Sequence, residues 1–256
     1  METVLDTIVL SSIPLHIIGK DSPLPISFGT GCIVKYSDRY FLITVAHVTD
    51  FENTSTLIYL NRPPENGNSV MYNVGGLTYY HVGTTDQFDI EDENIVDSII
   101  NDENSRIDFA CCEINGELTI NQPEIELEIG KIKKGLKCYV DLDTQIGVPN
   151  NELFYAFFGS IKQKKLNETR IESTLTLKYD IKFHRSESNY NVFLVKDIIK
   201  DSDDYRGCSG SPIFDENGKF VGLATAVREN TKMVYALKTE DILGFLNYFI
   251  GTQENN

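Results

Sequence analysis

Apolar and polar positions alternate along most of the chain in short runs broken by turn residues, the pattern of half-buried β-strands. CIVKY (32–36), the break Ser37-Asp38-Arg39 and YFLITVAHV (40–48) predict a hairpin rich in β-branched and aromatic residues. TLIYLN (56–61), a pair of strands around VMYNVGGLTYYHV (70–82), and RIDFACCEI (106–114) extend this first series. NGELTINQPEIELEIGK (115–131) is polar without a strong period and reads as a connection between halves. A second series follows in LKCYVDL (136–142), LFYAFFGSI (153–161), TRIESTLTLKYDIKF (169–183) and NVFLVK (191–196). In the third of these, Ile171, Ser173, Leu175, Leu177, Tyr179 and Ile181 alternate with mostly polar neighbours. Asn217-Gly218 joins PIFDE to KFVGLATAV as a tight hairpin expected to hold both turn residues at positive φ. KMVYALK (232–238) is the last strand.

Only TEDILGFLNYFI (239–250) has convincing helical spacing, with Thr239 as cap and Glu240 and Asp241 at the positive end of the dipole. Two runs of strands and a terminal helix predict an all-β fold of two antiparallel barrels or sandwiches. The expected limits are 1–120 for the first lobe, 121–238 for the second and 239–250 for the helix.

At 256 residues, 41% hydrophobic, the chain can bury substantial cores. Its net charge of −15 disfavours nucleic acid and acidic membrane surfaces as partners. Much of that charge lies in TTDQFDIEDENIVDSIINDEN (84–104), read as a solvated loop or short surface helix, with a basic partner as the functional alternative. Five cysteines without C-x-x-C or His spacing give poor material for disulfides or zinc and fit reduced thiols. METVLDTIVLSSIPLHIIGK lacks the basic start of a signal peptide, and no run approaches the length of a membrane span, so a cytoplasmic location is expected.

Candidate chemistry centres on DDYRGCSGSPIF (203–214), where Ser209 stands between Gly207-Cys208 and Gly210. Such clusters usually mark turns. A serine hydroxyl becomes nucleophilic only beside a base, and histidine is the side chain whose pKa suits that task. His16, His81 and His184 lie in settings that favour structural or exposed roles, whereas His47 in ITVAHVTD ends an apolar strand after a small residue. Asp108 opens the apolar strand RIDFACCEI, an unusual place for an acid unless it accepts several hydrogen bonds or serves a neighbouring charge. The order His47, Asp108, Ser209 excludes the hydrolases with a nucleophile elbow, where Ser211 would also have to be Gly, and the subtilisin order.

These stretches give the chain its resemblance to the trypsin-like (chymotrypsin-fold) serine peptidases, especially the bacterial disulfide-free ones. GTGCIV (29–34) with ITVAHV (43–48), IDFA (107–110), and GCSGSPIF (207–214) with GKFVGLATA (218–226) carry it. The resemblance implies two six-stranded barrels with a cleft between them, His47 and Asp108 coming from the first and Ser209 from the second. It implies endopeptidase chemistry on a protein or peptide substrate, with Ser209 as nucleophile, His47 as base, Asp108 as orienting acid and the Gly207 and Ser209 N–H groups as oxyanion hole. No metal or organic cofactor is implied. Cys208 is the rival nucleophile, but the motif's flanking glycines fit Ser209 and not Cys208.

Two departures from the family matter. Secreted trypsins carry Asp directly before the nucleophile, to pair with a new N-terminus. Cys208 stands there, so another feature must order the Gly207 loop. Asp203 occupies the place of an acid selective for Lys or Arg, while Val227 and Met233 fall where wide pockets carry glycine, favouring small or medium apolar side chains. Thr225 joins them as a substrate-binding candidate. The alternative to an enzyme is a catalytically silent protein of this fold, binding a partner through its cleft or its 84–104 segment.

Overall fold

Runs of β-branched and aromatic residues form the strands, and most of these assort into an eight-stranded sheet and a closed barrel that meet along a packed seam. The computed structural model describes residues 3–20, 24–61, 71–80, 107–114, 118–167 and 170–254. The acidic 84–104 segment and His81 lie outside the described residues.

The first lobe contains β1 (Ile13–Gly19), β2 (Pro25–Tyr36), β3 (Arg39–Thr44), β4 (Thr54–Tyr59), β5 (Met71–Asn73), β6 (Thr78–Tyr79) and β7 (Ala110–Glu113). They pair antiparallel in the order β5-β4-β1-β2-β3-β7-β6. The β2–β3 turn puts Ser37 and Asp38 at φ 50° and 58°, the two-residue geometry that matches the twist of a hairpin. The connection that follows is not structureless. It carries β8 (Asn121–Gln122), β9 (Ile125–Leu127), β10 (Gly130–Ile132), β11 (Gly135–Leu136) and β12 (Val140–Asp141), with β8 pairing β11 and β9 pairing β10.

The second lobe is a closed barrel of β13 (Phe154–Asn167), β14 (Arg170–Glu187), β15 (Tyr190–Leu194), β16 (Pro212–Asp215), β17 (Phe220–Val227) and β18 (Met233–Lys238). Its order is β13-β14-β15-β18-β17-β16, and Tyr155 and Ala156 close it against Asp215 and Phe214. Tyr155, Phe157, Ile181, Phe193, Ile213, Val221 and Val234 fill it. A second cluster runs from β1, β2 and β3 through Phe214, Phe220 and Leu237 to the C-terminal helix and joins the two lobes across the seam.

Several expectations need correction. Only the second lobe is a closed six-stranded barrel; the first is an open, half-barrel sheet among the described residues. Its edge strands β5 and β6 have three and two residues and do not pair with each other among the described residues. The 136–142 run does not belong to the second barrel: Val140 and Asp141 pair in parallel with Val34 and Lys35 of β2. The strand predicted over 40–48 stops at Thr44, and Ala46–Thr49 forms a helical turn, α2. At the 217–218 hairpin only Gly218 has positive φ, because Asp215 pairs with Lys219 around a three-residue loop. Leu175 and Tyr179 are exposed, since β14 runs out beyond the barrel core that buries Ile181.

An unpredicted helix, α1 (Val4–Ser11), precedes β1 and packs against β13 and β16. Thr3 Oγ1 accepts the Asp6 N–H while Asp6 accepts the Thr3 N–H, a capping box that satisfies two orphan donors. Lys137 Nζ donates to the Val9 and Ser12 carbonyls at the other end. The C-terminal helix α3 (Thr239–Glu254) buries Ile242 and Leu246 and reaches back over the first lobe. Phe245 stacks on Phe109, Phe249 meets Phe41 edge-on, and Tyr36 Oη donates to Asn247.

Candidate active site

Strand β3 ends at Thr44, and the turn that follows carries His47 away from the sheet. Four residues give α2 too little ladder to satisfy its first N–H groups, and Val45 at its cap offers no side-chain acceptor. Asp108 supplies one. Its carboxylate accepts the His47 backbone N–H at 2.9 Å and that of Ala46, and its other oxygen meets His47 Nδ1 at 2.5 Å. Asp108 is held from behind by Phe109, fully buried against Tyr80 and Phe245. The acid that looked out of place at the head of an apolar strand is thus placed by core packing.

The electrostatics follow from this geometry. Burial by itself disfavours the imidazolium, but the Asp108 charge and hydrogen bond outweigh it and hold His47 above its ordinary range. Burial likewise pushes Asp108 up, and the His47 charge, the ring hydrogen bond and the two backbone N–H groups overcome it, leaving the carboxyl below its ordinary range. A histidine whose Nδ1–H is engaged by a carboxylate presents Nε2 as the basic nitrogen. His47 remains 28% exposed.

Ser209 sits on a loop of the second lobe, between β15 and β16. Gly207 and Gly210 have φ of 105° and 84°. The loop is tied down on both sides. Gly210 N–H donates to Ala224 O and Ser211 N–H to Cys208 O, while Cys208 N–H donates to Tyr205 O. Cys208 is buried in the barrel interior against Gly159, where any Cβ would lie 2.7 Å from its sulfur. From the first lobe, Thr30 N–H donates to Ser209 O at 2.9 Å. The N–H groups of Gly207 and Ser209 have no acceptor among the described residues. Ser209 Oγ donates to Thr225 O at 3.3 Å and makes no hydrogen bond to His47 among the described residues.

Of the other sequence candidates, Thr225 lies beside Ser209, its carbonyl accepting the Oγ hydrogen bond. Asp203 lies on a surface 3-10 turn, paired with Arg206 at 3.4 Å. Thr225 is buried on β17, its hydroxyl turned to Leu223 O. Val227 and Met233 are half-buried at the end of the β17–β18 ladder, whose last pair is Val227 with Val234. Burial pushes the Cys208 thiol up to about 12, which keeps it from thiolate chemistry. His16 packs on Phe28 and is lowered by burial, and His184 is exposed. Sequence reasoning missed Thr30, Thr44 and Gly159; the Gly29-Thr30-Gly31 run was the available signal, since strand glycines mark close backbone approach.

A half-barrel and a closed barrel of antiparallel strands, with the His47–Asp108 pair on one and the Ser209 loop on the other, are consistent with a chymotrypsin-like fold. The chain is similar to a serine endoprotease from Yersinia pestis, with a TM-score of 0.54 and 13% identity over 98% of this chain and 67% of that one. It is also similar to Rv3671c from Mycobacterium tuberculosis, solved as a serine-to-alanine mutant in an inactive form, with a TM-score of 0.51 and 12% identity over 98% of this chain and 91% of that one. No family model matches the chain, and no curated protein matches it in sequence. At these identities the likeness establishes the fold. No helix among the described residues is long and apolar enough to cross a membrane.

Proposed function

We propose that the chain is a serine endopeptidase acting through His47, Asp108 and Ser209. The observation that carries this reading is the His47–Asp108 pair, a buried carboxylate 2.5 Å from Nδ1, on the lobe against which the Ser209 loop is fastened. Ser209 Oγ attacks the scissile carbonyl carbon as His47 Nε2 removes its proton. The oxyanion is met by the Gly207 and Ser209 N–H groups, which have no competing acceptor among the described residues. His47 then returns the proton to the leaving amine as the C–N bond breaks, and water repeats the sequence to release the acyl group. Asp108 stays ionised throughout and stabilises the imidazolium. The Ser209 bond to Thr225 O is long for O–H···O, so exchanging it for His47 on substrate binding costs little.

A fluorophosphonate probe tests the reading. Labelling of the wild type and none of Ser209→Ala is expected; an unlabelled wild type refutes it. One observation favours a second reading, a silent binding protein of the same fold: the Ser209 hydroxyl donates to Thr225 O and makes no hydrogen bond to His47 among the described residues. An unlabelled but folded wild type that captures a partner through its cleft would establish that reading.

A further inference from the structure

Thr30 stands at the seam between the lobes, 1% exposed, and every polar atom it has is engaged. Its hydroxyl donates to Gly207 O at 2.7 Å and its N–H to Ser209 O at 2.9 Å. Its own carbonyl accepts the hydroxyl of Thr44 at 2.7 Å. Thr44 is fully buried and ends the strand that leads, three residues on, to His47. The loop presses directly on this peptide: a Cβ at Gly210 would lie 1.9 Å from Thr30 O.

These bonds determine where the loop's free donors point. The N–H and C=O of one peptide face opposite ways. Cys208 O is held by Ser211 N–H, so the Ser209 N–H of that same peptide faces away from the loop's interior. The next peptide back has both ends engaged, its carbonyl by Thr30 Oγ1 and its N–H by Tyr205 O. That pins Gly207 at its positive φ, where its own N–H has no acceptor among the described residues. The position before the nucleophile, which could have carried a carboxylate for a cleavage-generated N-terminus, holds a buried thiol.

We infer that Thr30 is a positioning residue: its hydroxyl, supplied by the first lobe, holds the oxyanion loop in its donor-out conformation without an activating cleavage. The inference rests on the peptidase reading for its catalytic consequence, but the loop order it describes can be measured without substrate.

The test compares Thr30→Val, which keeps the shape and removes the hydroxyl, with Thr30→Ser, which restores it. Val should lower kcat about tenfold to a hundredfold with KM little changed, and Ser should recover most of the loss. Hydrogen exchange read by mass spectrometry should quicken over 203–212 in the Val variant and return towards wild type in Ser. Should Val fail to fold, Thr30→Ala carries the comparison. Unchanged exchange and kcat within threefold of wild type overturn the inference while leaving the peptidase reading intact. A wild type that takes no fluorophosphonate refutes the peptidase reading, and the exchange comparison then decides the role of Thr30 alone.

Discussion

Asp108→Asn changes one atom type and leaves the volume alone, so its effects isolate the carboxylate. Asp108 is 7% exposed and accepts from the His47 ring and from the backbone of His47 and Ala46. An amide oxygen can keep the backbone donors of α2. Its NH2 group must then face Nδ1, which forces the imidazole proton onto Nε2, where it blocks acceptance from Ser209. Carboxylate-to-amide changes of this kind cost about 10⁴-fold in turnover, or about 5 kcal/mol of barrier. Replacing charge-assisted hydrogen bonds by neutral ones costs roughly 1–2 kcal/mol of stability.

The pH dependence gives a sharper reading of the same change. In the wild type, Asp108 outweighs burial and raises His47, so turnover should climb with pH through a midpoint above the ordinary ~6.5. In the variant burial acts alone, and the His47 midpoint should fall below that value. The stability signs differ for the two partners. A lowered Asp108 contributes above its unfolded pKa and loses this as pH falls through the folded one; a raised His47 contributes below ~6.5 and loses this as pH rises. The stability gap between wild type and variant should therefore be widest from about pH 4 to 6.5. Peptide turnover from pH 5 to 9, histidine NMR titration and urea melts measure all three. Turnover within tenfold of wild type, or a His47 midpoint that does not move, refutes the assignment.

Two further changes probe the support of the site. Gly159→Ala places a methyl 2.7 Å from Cys208 Sγ and 3.2 Å from Ser211 Oγ, so it should cost about 1–3 kcal/mol in thermal melts and lower kcat more than stability alone explains. Lys137→Met removes the donor to Val9 and Ser12 carbonyls, and with it a group that burial lowers to about 7 against the smaller, raising effect of Cys138. The unfolded chain binds the extra proton between that value and ~10.4, so wild-type stability should rise relative to the variant as pH climbs from 7 to 9 in urea melts; a constant difference would show that Lys137 is not titrating there.

The strand pattern was legible because period two is a local property, and so was the terminal helix, whose apolar face includes Ile242 and Leu246. What failed was non-local. Closure of the first lobe depends on whether short edge strands meet, and nothing in 71–80 reports that. Val140 and Asp141 carry a strand's composition but take the edge of the other sheet, a choice made by tertiary pairing with β2. Helix α1 had a signal, Thr3-x-x-Asp6, hidden because Asp replaces the more familiar Glu or Gln. At the site, His47 and Asp108 stood out because polar groups in apolar settings demand a reason. Thr30 did not, since a threonine in a strand needs none, and its partner Gly207 lies 177 residues away.

That distance bears on how a two-lobe site keeps its geometry. The His47–Asp108 pair belongs wholly to the first lobe, and its alignment would survive any small shift of the barrel. Ser209 belongs to the second lobe through Cys208 and Ala224, and misplacement of reacting groups by about 1 Å costs on the order of 10² in rate. Hydrophobic contact across the seam cannot supply that accuracy, because it is non-directional. Directional bonds can. Two of them run from Thr30 to the serine loop, and a third, from Thr44, ties Thr30 to the strand that leads to His47. The close approach they require explains why Gly210, 1.9 Å from Thr30 O at the Cβ position, tolerates no side chain. The accuracy of the proposed site therefore resides at a buried threonine pair, outside the residues proposed to perform the chemistry.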